Sequence, residues 1–421
     1  RRFIAGAAVA GTSLIGIAPA RARTYQANER LRIGVIGVAN RGKANLQGVA
    51  SEEITALCDV DTAYLDAAGA AFPQSARFTD FRRMLDKTRL DAVVISTPDH
   101  THAPCAAMAL RKDLDVYCEK PLSHSVYEAR VLSDLARRRK RVTQLGTQIH
   151  AESNYRRVVE AIRSGAIGEV SEVHVWCAGG YTGGARPTDT PPVPPTLDWD
   201  LWLGPAPERP YHPAYVPHQW RGWWDFGNGT LGDLACHHMD LPFWALDLRY
   251  PLTVEAEGPP PHPECTPEWL VVRYEFPARD TRPPVRLTWY NGDRRPPHFA
   301  EGKLPPWGNG TLFVGAKGML IADYGKHALL PKEEFADFVP PERTIPDSIG
   351  HYAEWIEACK HRGPTTCNFD YSGALTEAVL LGNVAFRSGA RIDWDARNLR
   401  ARGLREADRY LRRRYRKGWR L

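Results

Sequence analysis

The chain has 421 residues, too many for a single hydrophobic core, which predicts two domains. Hydrophobic residues make up 43% and charged residues 25% of it, as in water-soluble globular proteins. The net charge is +6, but residues 402–421 alone carry nine basic and two acidic side chains, so the body is close to neutral. A body without a basic face excludes nucleic-acid binding as its role, and the tail is expected to form a solvated helix on its own body or a neighbouring subunit.

The eight cysteines form no CxxC pair, so the sequence signals neither a zinc knuckle nor a disulfide framework. We expect most of them to be buried as small apolar residues. Cys359 and Cys367 are close enough in sequence to pair, but nothing in the pattern requires a disulfide between them.

The first residues have the pattern of an export signal. A pair of arginines precedes an apolar run rich in alanine and glycine (3–20), and small-residue cleavage signals end at Ala20 and Ala22. The paired arginines and weak hydrophobicity resemble a twin-arginine signal, so residues 1–22 are predicted to direct export to the periplasm. A membrane anchor is the less favoured alternative, because glycine, serine and proline interrupt the run. No later segment is apolar enough to span a bilayer.

Short apolar strands alternate with helices over residues 30–150. This alternation predicts a doubly wound parallel sheet with right-handed crossovers. The predicted strands are 31–36, 54–58, 91–96, 115–118 and 142–146, and the predicted helices are 62–71, 79–87, 102–111 and 124–138.

A glycine-rich turn follows the first strand. Gly37, Ala39 and Gly42 form G-x-A-x-x-G, one residue different from the dinucleotide-binding fingerprint of Rossmann folds. Gly37 suits the tight turn and Gly42 allows the helix to pack on the strand, whereas the methyl group of Ala39 replaces a hydrogen near the pyrophosphate. Asn40 and Arg41 complete this turn as predicted cofactor contacts.

Asp59 ends the second strand, 22 residues after Gly37. A carboxylate at this position accepts hydrogen bonds from the adenosine ribose and repels a 2′-phosphate. Because no basic residue follows Asp59 directly, the sequence predicts NAD rather than NADP as the cofactor.

Two further loops follow predicted strands, where ligands bind in such sheets. One is STPDHTH (96–102), and the other contains Glu119, Lys120 and Pro121. A lysine at a strand end is a candidate acid or base, and burial together with a nicotinamide cation would lower its pKa.

These motifs resemble the Gfo/Idh/MocA family, which includes glucose–fructose oxidoreductase and inositol dehydrogenase, and in particular its exported twin-arginine branch. The resemblance spans residue 31 to about 390. It implies a second α/β domain (151–400) with a large, open, mostly antiparallel sheet. The matching segments are GVANRG (37–42), Asp59, STPDHTH (96–102), CEKPL (118–122), QLGTQ (144–148), GAIGEV (165–170) and GNGTLGDLACHHMD (227–240).

The resemblance also implies site residues. Lys120, Asp233 and His237 fall on the family's catalytic positions. Two departures are Ala39 in the fingerprint and Asn228, which replaces the middle glycine of the family's G-G-G turn and is expected to reshape the substrate pocket. The predicted cofactor-binding residues are Gly37, Ala39, Asn40, Arg41, Gly42, Asp59, Thr97, Pro98, His102, Glu119, Lys120 and Gln148.

The segment 232–240 has helical spacing of polar residues. Asp233, His237 and Asp240 are separated by four and three positions, which places them on one face of a helix. His238 points about 100° away and is expected to be structural or a pocket-wall residue. A metal site from His237, Asp240 and His212 or His218 is a minor alternative, and no metal is predicted.

The segment 198–227 is rich in tryptophan, which packs well against sugar rings, and Arg221 can bond hydroxyl groups. It is either a substrate wall or a hydrophobic cluster that fastens a long loop. We favour Trp223 and Trp224 as substrate contacts, together with Arg221, His238 and Asp240.

Downstream, strands are predicted at 268–277, 284–292 and 311–324, and helices at 350–360 and 372–387. One face of such a sheet needs a cover, which predicts a homodimer or homotetramer. The predicted function is NAD-dependent oxidation of a secondary hydroxyl of a sugar, glycoside or polyol. The alternatives are a redox-neutral glycoside hydrolase that oxidises its substrate transiently, and, less favoured, a non-catalytic sugar sensor.

Overall fold

A computed structural model describes residues 29–279 and 282–421, so the predicted export signal at 1–22 lies outside the described residues. The described residues form two sheets, one of six strands and one of nine. Among the described residues, no helix is long and apolar enough to cross a membrane. All eight cysteines are free and buried, as the absence of a disulfide pattern predicted.

The six-stranded sheet is parallel throughout and has the order β3-β2-β1-β4-β5-β6. This is the Rossmann order, with the switch point between β1 and β4. The predicted doubly wound sheet is therefore confirmed. Its strands are β1 (Arg32–Ile36), β2 (Glu53–Cys58), β3 (Ala76–Phe78), β4 (Ala92–Ile95), β5 (Asp115–Cys118) and β6 (Thr143–Leu145).

The helices between these strands begin at residues that cap them. Asp61 and Asp80 each accept a hydrogen bond from a first-turn backbone N–H, and Ser125 forms a reciprocal capping box with Glu128. The helices are α1 (Arg41–Gly48), α2 (Thr62–Ala71), α3 (Phe81–Lys87), α4 (Asp99–Arg111) and α5 (Val126–Arg139).

The nine-stranded sheet is antiparallel except where β7 pairs with β10, and its order is β13-β12-β11-β7-β10-β9-β8-β14-β15. The predicted strand region 311–324 is a hairpin that turns between Gly315 and Gly318. The strands are β7 (Val170–Cys177), β8 (Thr253–Glu257), β9 (Leu270–Phe276), β10 (Val285–Asn291), β11 (Gly310–Gly315), β12 (Gly318–Ala322), β13 (His327–Leu330), β14 (Ile392–Asp395) and β15 (Arg400–Ala401).

Helices cover one face of this sheet, and the segment 297–307 packs on part of the other, where Trp176 donates a 3.0 Å hydrogen bond to the Trp307 carbonyl. The long α11 is buried along most of its length. The helices of this half are α6 (Ser153–Arg163), α7 (Trp199–Leu203), α8 (Gly229–His238), α9 (Asp240–Leu246), α10 (His351–His361), α11 (Phe369–Ser388) and α12 (Asp408–Leu411).

Contacts between the halves position the site. Helix α10 returns to the parallel sheet, where Trp355 is fully buried and Lys360 pairs with Glu52 at 2.8 Å. Beyond the four-residue α12, the tail is extended and bonded to its own body, not a solvated helix. It crosses the surface because Arg416 bonds the Asp200 carboxylate and, at 3.1 Å, the Gly204 carbonyl.

Candidate active site

A cleft of about 930 Å³ opens at the carboxyl ends of β1, β4 and β5, the switch point of the parallel sheet. Loops of the Rossmann domain form its floor. Residues between 194 and 221, together with Trp419 from the C-terminal tail, form its opposite wall, which we call the roof. Asp233 and His237 of α8 close one end of the cleft.

The glycine turn is shaped by close contacts. Gly37 has φ +83°, and a side chain there would meet the Ser96 carbonyl oxygen at 2.7 Å. A Cβ on Gly42 would lie 2.1 Å from the Gly37 oxygen. Both positions therefore require glycine. Ala39, Asn40 and Arg41 line the cleft beside the open N-terminus of α1, where backbone N–H groups favour an anion.

Asp59 lies in the cleft at the end of β2. Its carboxylate accepts hydrogen bonds from the backbone N–H groups of Val38 at 2.9 Å and Asp61 at 3.1 Å. Burial nevertheless raises the pKa of Asp59 to about 6. The side chain is held where a ribose hydroxyl could donate to it.

The loop after β4 contributes Thr97 and Pro98 to the cleft. The Thr97 hydroxyl is buried without a hydrogen-bond partner among the described residues. His102 is buried behind the loop, and its ring nitrogens each lie 2.7 Å from a carbonyl oxygen, of Thr97 and of Pro121. The prediction that His102 contacts the cofactor is therefore wrong, because the side chain joins the two strand-end loops instead of facing the cleft.

The Glu119 carboxylate forms hydrogen bonds with several side chains next to the glycine turn. One of its oxygens accepts hydrogen bonds from Asn45 and Gln148, both at 2.9 Å, and from Arg41 at 3.2 Å. A Cβ on Gly146 would meet this carboxylate at 2.6 Å, which explains the glycine of the QLGTQ segment. Glu119 thus positions Arg41 and Gln148 along the cleft wall.

An ion pair links the two domains at the closed end of the cleft. The Lys120 ammonium donates to the Asp233 carboxylate at 2.5 Å and to the Asp233 carbonyl at 2.8 Å. Arg221 faces the same carboxylate oxygen at 3.2 Å. Burial opposes the charge of Asp233, but Lys120 and Arg221 outweigh it and hold the pKa of this carboxyl well below its usual range.

The same ion pair sets the charge of Lys120. Burial favours the neutral amine, but the Asp233 carboxylate outweighs it and raises the pKa of Lys120 above its ordinary value. The predicted lowering of this pKa is therefore wrong, because the Asp233 carboxylate lies 2.5 Å from the Lys120 ammonium and outweighs burial. The sequence did not show this contact. Lys120 is therefore an ammonium ion at neutral pH.

His237 lies one turn after Asp233 on α8 and lines the cleft. Burial, followed by the charge of Lys120 and the neighbouring His238, holds its pKa well below the usual range. Its Nδ1 has no hydrogen-bond partner among the described residues. His237 is thus a neutral imidazole at the cleft wall, and its Nδ1 is buried without a partner.

Asp240 and His238 do not reach the cleft, so their prediction as substrate contacts is wrong. Helix α8 ends at His238, and Asp240 lies beyond it at the start of α9. Its buried carboxylate bonds His150 Nδ1 at 2.8 Å and the Tyr371 hydroxyl at 2.8 Å. His238 is buried, and its Nε2 lies 3.0 Å from the Tyr324 hydroxyl.

The alternative metal site is not assembled. Asp240 is buried with His150 and Cys367, whose ligand-type atoms lie within 4.8 Å of one another, whereas His237 and His218 line the cleft. His212 pairs with Asp189 at 3.3 Å.

Trp223 and Trp224 are also buried away from the cleft, so their prediction as substrate contacts is wrong. Trp223 belongs to an aromatic cluster and donates to the Ala214 carbonyl at 2.9 Å. Trp224 packs into the core of the second domain and donates to the His262 carbonyl at 3.1 Å. For these two residues the other alternative holds: they belong to hydrophobic packing that fastens the segment 198–227.

Other members of the tryptophan-rich segment do line the cleft. Trp202 and Trp220 contribute to its wall, and the Arg221 guanidinium stacks 4.3 Å from the Trp220 ring. His218 lies exposed beside them. The sequence pointed to this segment but not to these members, since only the packing decides which ring faces inward.

Asp99 is a cleft residue that the sequence analysis missed. It opens α4, and its carboxylate accepts a 3.1 Å hydrogen bond from Asn228. Burial, followed by the nearby Asp233, raises the pKa of Asp99 to about 7. The substituted Asn228 thus acts on the site through Asp99. An acid in the first turn after a strand-end loop was the signal that could have identified it.

The roof is fastened to the floor at two places. Thr62 donates its backbone N–H to the Thr196 carbonyl at 2.9 Å, and Asp198 donates to Val60 at 2.9 Å. At the other place, the Trp419 ring lies 6.0 Å from the Phe81 ring, with the Arg82 guanidinium 4.4 Å away. Asp59 therefore lies in a covered part of the cleft.

These residues fit a bound dinucleotide. The glycine turn is closed so tightly that a Cβ at Gly37 or Gly42 would clash with backbone atoms, and the Thr97 hydroxyl is a buried polar atom in need of a partner. Asp59 would hold the adenosine ribose, and the turn at residues 37–42 the pyrophosphate. Lys120 and His237, which line the same cleft, would then be the residues at the nicotinamide end.

Comparison with known proteins agrees with this geometry. The family profile described as the oxidoreductase family, NAD-binding Rossmann fold, matches residues 31–147. The profile described as the oxidoreductase family, C-terminal alpha/beta domain, matches residues 152–281. The chain belongs to the Gfo/Idh/MocA family. Residues 31–147 form an NAD-binding Rossmann domain, and NAD is the cofactor that this domain takes.

Two relatives show the range of the family. A glycosyl hydrolase family 109 protein of Saccharopolyspora erythraea is 28% identical over 235 residues, which cover 52% of this chain and 44% of that protein. An inositol 2-dehydrogenase of Rubrobacter xylanophilus is 33% identical over 147 residues, covering 34% of this chain and 42% of that protein. The chain thus matches less than half the length of these relatives.

Solved structures of the family share the fold. The WlbA dehydrogenase of Bordetella pertussis, in complex with NADH and UDP-GlcNAcA, superimposes with a TM-score of 0.63 at 18% identity. The alignment covers 87% of this chain and 99% of that chain. The predicted combination of a parallel Rossmann sheet and a mostly antiparallel second sheet is therefore confirmed.

Proposed function

We propose that this protein oxidises a secondary hydroxyl group of a sugar, glycoside or polyol, with NAD as the hydride acceptor. The observation that carries the proposal is the Lys120–Asp233 ion pair beside a neutral His237, at the end of a cleft that fits a dinucleotide. Bound NAD supplies the acceptor for the hydride that leaves the carbinol carbon.

The charges of the site support one division of the proton-transfer roles. His237 is neutral and lines the cleft, so it accepts the hydroxyl proton. Lys120 stays charged and donates a hydrogen bond to the same oxygen as negative charge develops on it. Asp233 holds the ammonium group in place through the 2.5 Å contact. The choice between Lys120 and His237 as the base thus falls on His237.

A second candidate function is redox-neutral cleavage of a glycoside, in which the hydride is returned after elimination of the leaving group and addition of water. Asp99 favours it, because a buried carboxyl with a pKa of about 7 is a further proton donor or acceptor in the cleft. The resemblance to a glycosyl hydrolase family 109 protein agrees with it. A sugar sensor would not need the assembled ion pair and imidazole.

The experiment is an assay of the NAD-loaded protein with inositols, free hexoses and nitrophenyl glycosides. Oxidation predicts NADH in proportion to substrate consumed. Redox-neutral cleavage predicts release of nitrophenol without net NADH. If neither NADH nor nitrophenol is formed although the protein binds sugars, the sugar sensor is the correct description.

We also propose that the protein is exported and assembles as a homodimer or homotetramer. The signal-like pattern at 1–22 supports export by the twin-arginine route. Partly buried apolar residues on the outer sheet face, among them Trp269 and Met319, support subunit pairing. Periplasmic fractionation with and without a working twin-arginine translocon tests the first, and light scattering tests the second. Cytoplasmic retention or a monomer would contradict them.

A further inference from the structure

A second cavity, of about 560 Å³, lies between the start of α5, α11 and the segment 409–414. It shares no lining residue with the dinucleotide cleft. Asn228 separates the two, because it lines this cavity while its side chain bonds Asp99 in the cleft. We call this second cavity the arginine cavity, because it is lined by Arg387, Arg409, Arg412, Arg413 and Arg414.

The positive charge of the arginine cavity is not balanced within the described part of the chain. Asp225 is the single acidic residue that lines it, and this carboxylate is already paired with Arg209. Glu128, behind the wall, accepts hydrogen bonds from Arg413 at 2.8 Å and from the Tyr415 hydroxyl at 2.5 Å. Among the described residues, five arginines thus line a space whose one acidic lining residue is already paired.

Arg387 is the most unusual of the five. Its guanidinium stacks between the rings of Trp224, at 4.6 Å, and Tyr410, at 4.3 Å. Within the described residues it makes no ion pair or hydrogen bond, and burial lowers its pKa to about 10. A guanidinium held between two rings presents its N–H edge, which matches the two oxygens of a phosphate or carboxylate.

Two buried polar atoms of this cavity also lack partners among the described residues. They are Nη1 of Arg413 and Nε2 of His124. Burial, and then the charges of Arg413 and its neighbours, hold the pKa of His124 well below the usual range. Unsatisfied buried donors are costly, and a bound oxyanion would satisfy Arg413 and favour protonation of His124.

We infer that the arginine cavity is a second ligand site, for a small molecule that carries phosphate or carboxylate groups. Its volume lies within the range of about 300–1,000 Å³ that is common for small-molecule sites. Arg387, Arg413 and the more exposed Arg414 bind the oxyanion, and the Trp224 and Tyr410 rings flank it. The inference does not depend on the reaction proposed for the cleft.

The test is calorimetric titration of the full chain, saturated with NAD so that the cleft is occupied. The probes are inorganic pyrophosphate and citrate at constant ionic strength. We expect one saturable site per chain for at least one probe. Tighter binding of pyrophosphate assigns a phosphorylated ligand, and tighter binding of citrate assigns a polycarboxylate.

The variants are Arg387→Gln and Arg414→Gln, and each is expected to weaken binding about tenfold or more, the loss of one charge-assisted hydrogen bond. Arg138→Gln is the matched control, because this exposed arginine on α5 lies outside the cavity. Arg414 is exposed, so its variant decides the test even if Arg387→Gln does not fold. Binding that never saturates, or equal affinity in the wild type and the folded variants, would overturn the inference.

Discussion

The floor and the roof of the cleft are built on different principles. On the floor, Gly37, Asp59 and Lys120 each follow a strand of the parallel sheet, so the backbone topology fixes where they meet. The roof is an irregular segment (194–221) and Trp419 near the end of the chain, held by aromatic stacking and arginine contacts.

The difference separates two tasks. A floor fixed by strand ends can hold NAD in the same way in many relatives, because its contacts use backbone groups and a few side chains. The roof depends on which rings pack inward, so it sets what can enter beside the nicotinamide and how readily the nucleotide leaves. Substitutions in the floor should therefore change chemistry or cofactor affinity, and those in the roof stability, substrate affinity or release.

The largest effects are expected where floor and roof meet. Lys120→Ala and His237→Ala should each reduce turnover at least about a hundredfold, because one removes the cation at the reacting oxygen and the other removes the base. Steady-state kinetics measures this loss. Circular dichroism and NAD titration serve as controls and should stay close to wild type. Undiminished turnover in either variant would remove that residue from the mechanism.

Within the tryptophan-rich segment, buried and exposed residues should separate. Trp223→Ala should lower the free energy of unfolding by about 3–5 kcal/mol, because a fully packed ring is lost, with sugar affinity per folded molecule unchanged. His218→Ala should change stability by less than about 0.5 kcal/mol but weaken sugar binding. Denaturant unfolding and sugar titration test the pair. Weakened sugar binding with unchanged stability in Trp223→Ala would show that Trp223 contacts the substrate.

On the floor, Asp59 should make NAD binding pH-dependent. The ribose hydroxyls donate to the ionised carboxylate, and burial raises the pKa of Asp59 to about 6 in the free protein. Affinity should therefore be full above this pH and fall as pH decreases through it, by about tenfold at pH ~5. Asp59→Asn should bind NAD more weakly with a flat profile. A wild-type profile without this fall would contradict the assignment.

The smallest effect is expected at the tail. Trp419→Ala removes the ring beside Phe81 and Arg82, so it should open the covered part of the cleft. We expect NAD to dissociate about tenfold faster, the effect of losing about 1.4 kcal/mol of apolar contact. Stopped-flow displacement measures the rate. Arg420→Ala, one residue away and exposed, is the control, and equal rates in both variants would show that the tail does not retain the nucleotide.

Sequence reasoning found most of the fold. The alternation of apolar strands with helical stretches predicted α2 at 62–71 and β5 at 115–118 with the observed bounds. It did not find β3, whose three residues include two exposed ones, nor the partition of 311–324 into a hairpin. Short or half-exposed strands carry too weak a pattern to be recognised before their partners are known.

The site was predictable where one element determines it. Asp59 and Lys120 lie at strand ends, and Asp233 and His237 share one helix, so strand order and helical spacing place them, whereas the catalytic role of Lys120, Asp233 and His237 was implied by the family resemblance. The extension of that spacing to Asp240 failed because α8 ends at His238. The choice of Trp223 and the omission of Trp419 have one cause: tertiary packing decides which ring faces a cleft.

The most direct test of the account is a crystal structure of the protein with NAD bound. It should place the ribose hydroxyls within hydrogen-bond distance of Asp59, and the adenosine end beneath Trp419. The nicotinamide ring should lie against Lys120 and His237, with space for a sugar below Trp220. A nucleotide outside this cleft, or a nicotinamide remote from the Lys120–Asp233 pair, would contradict the account.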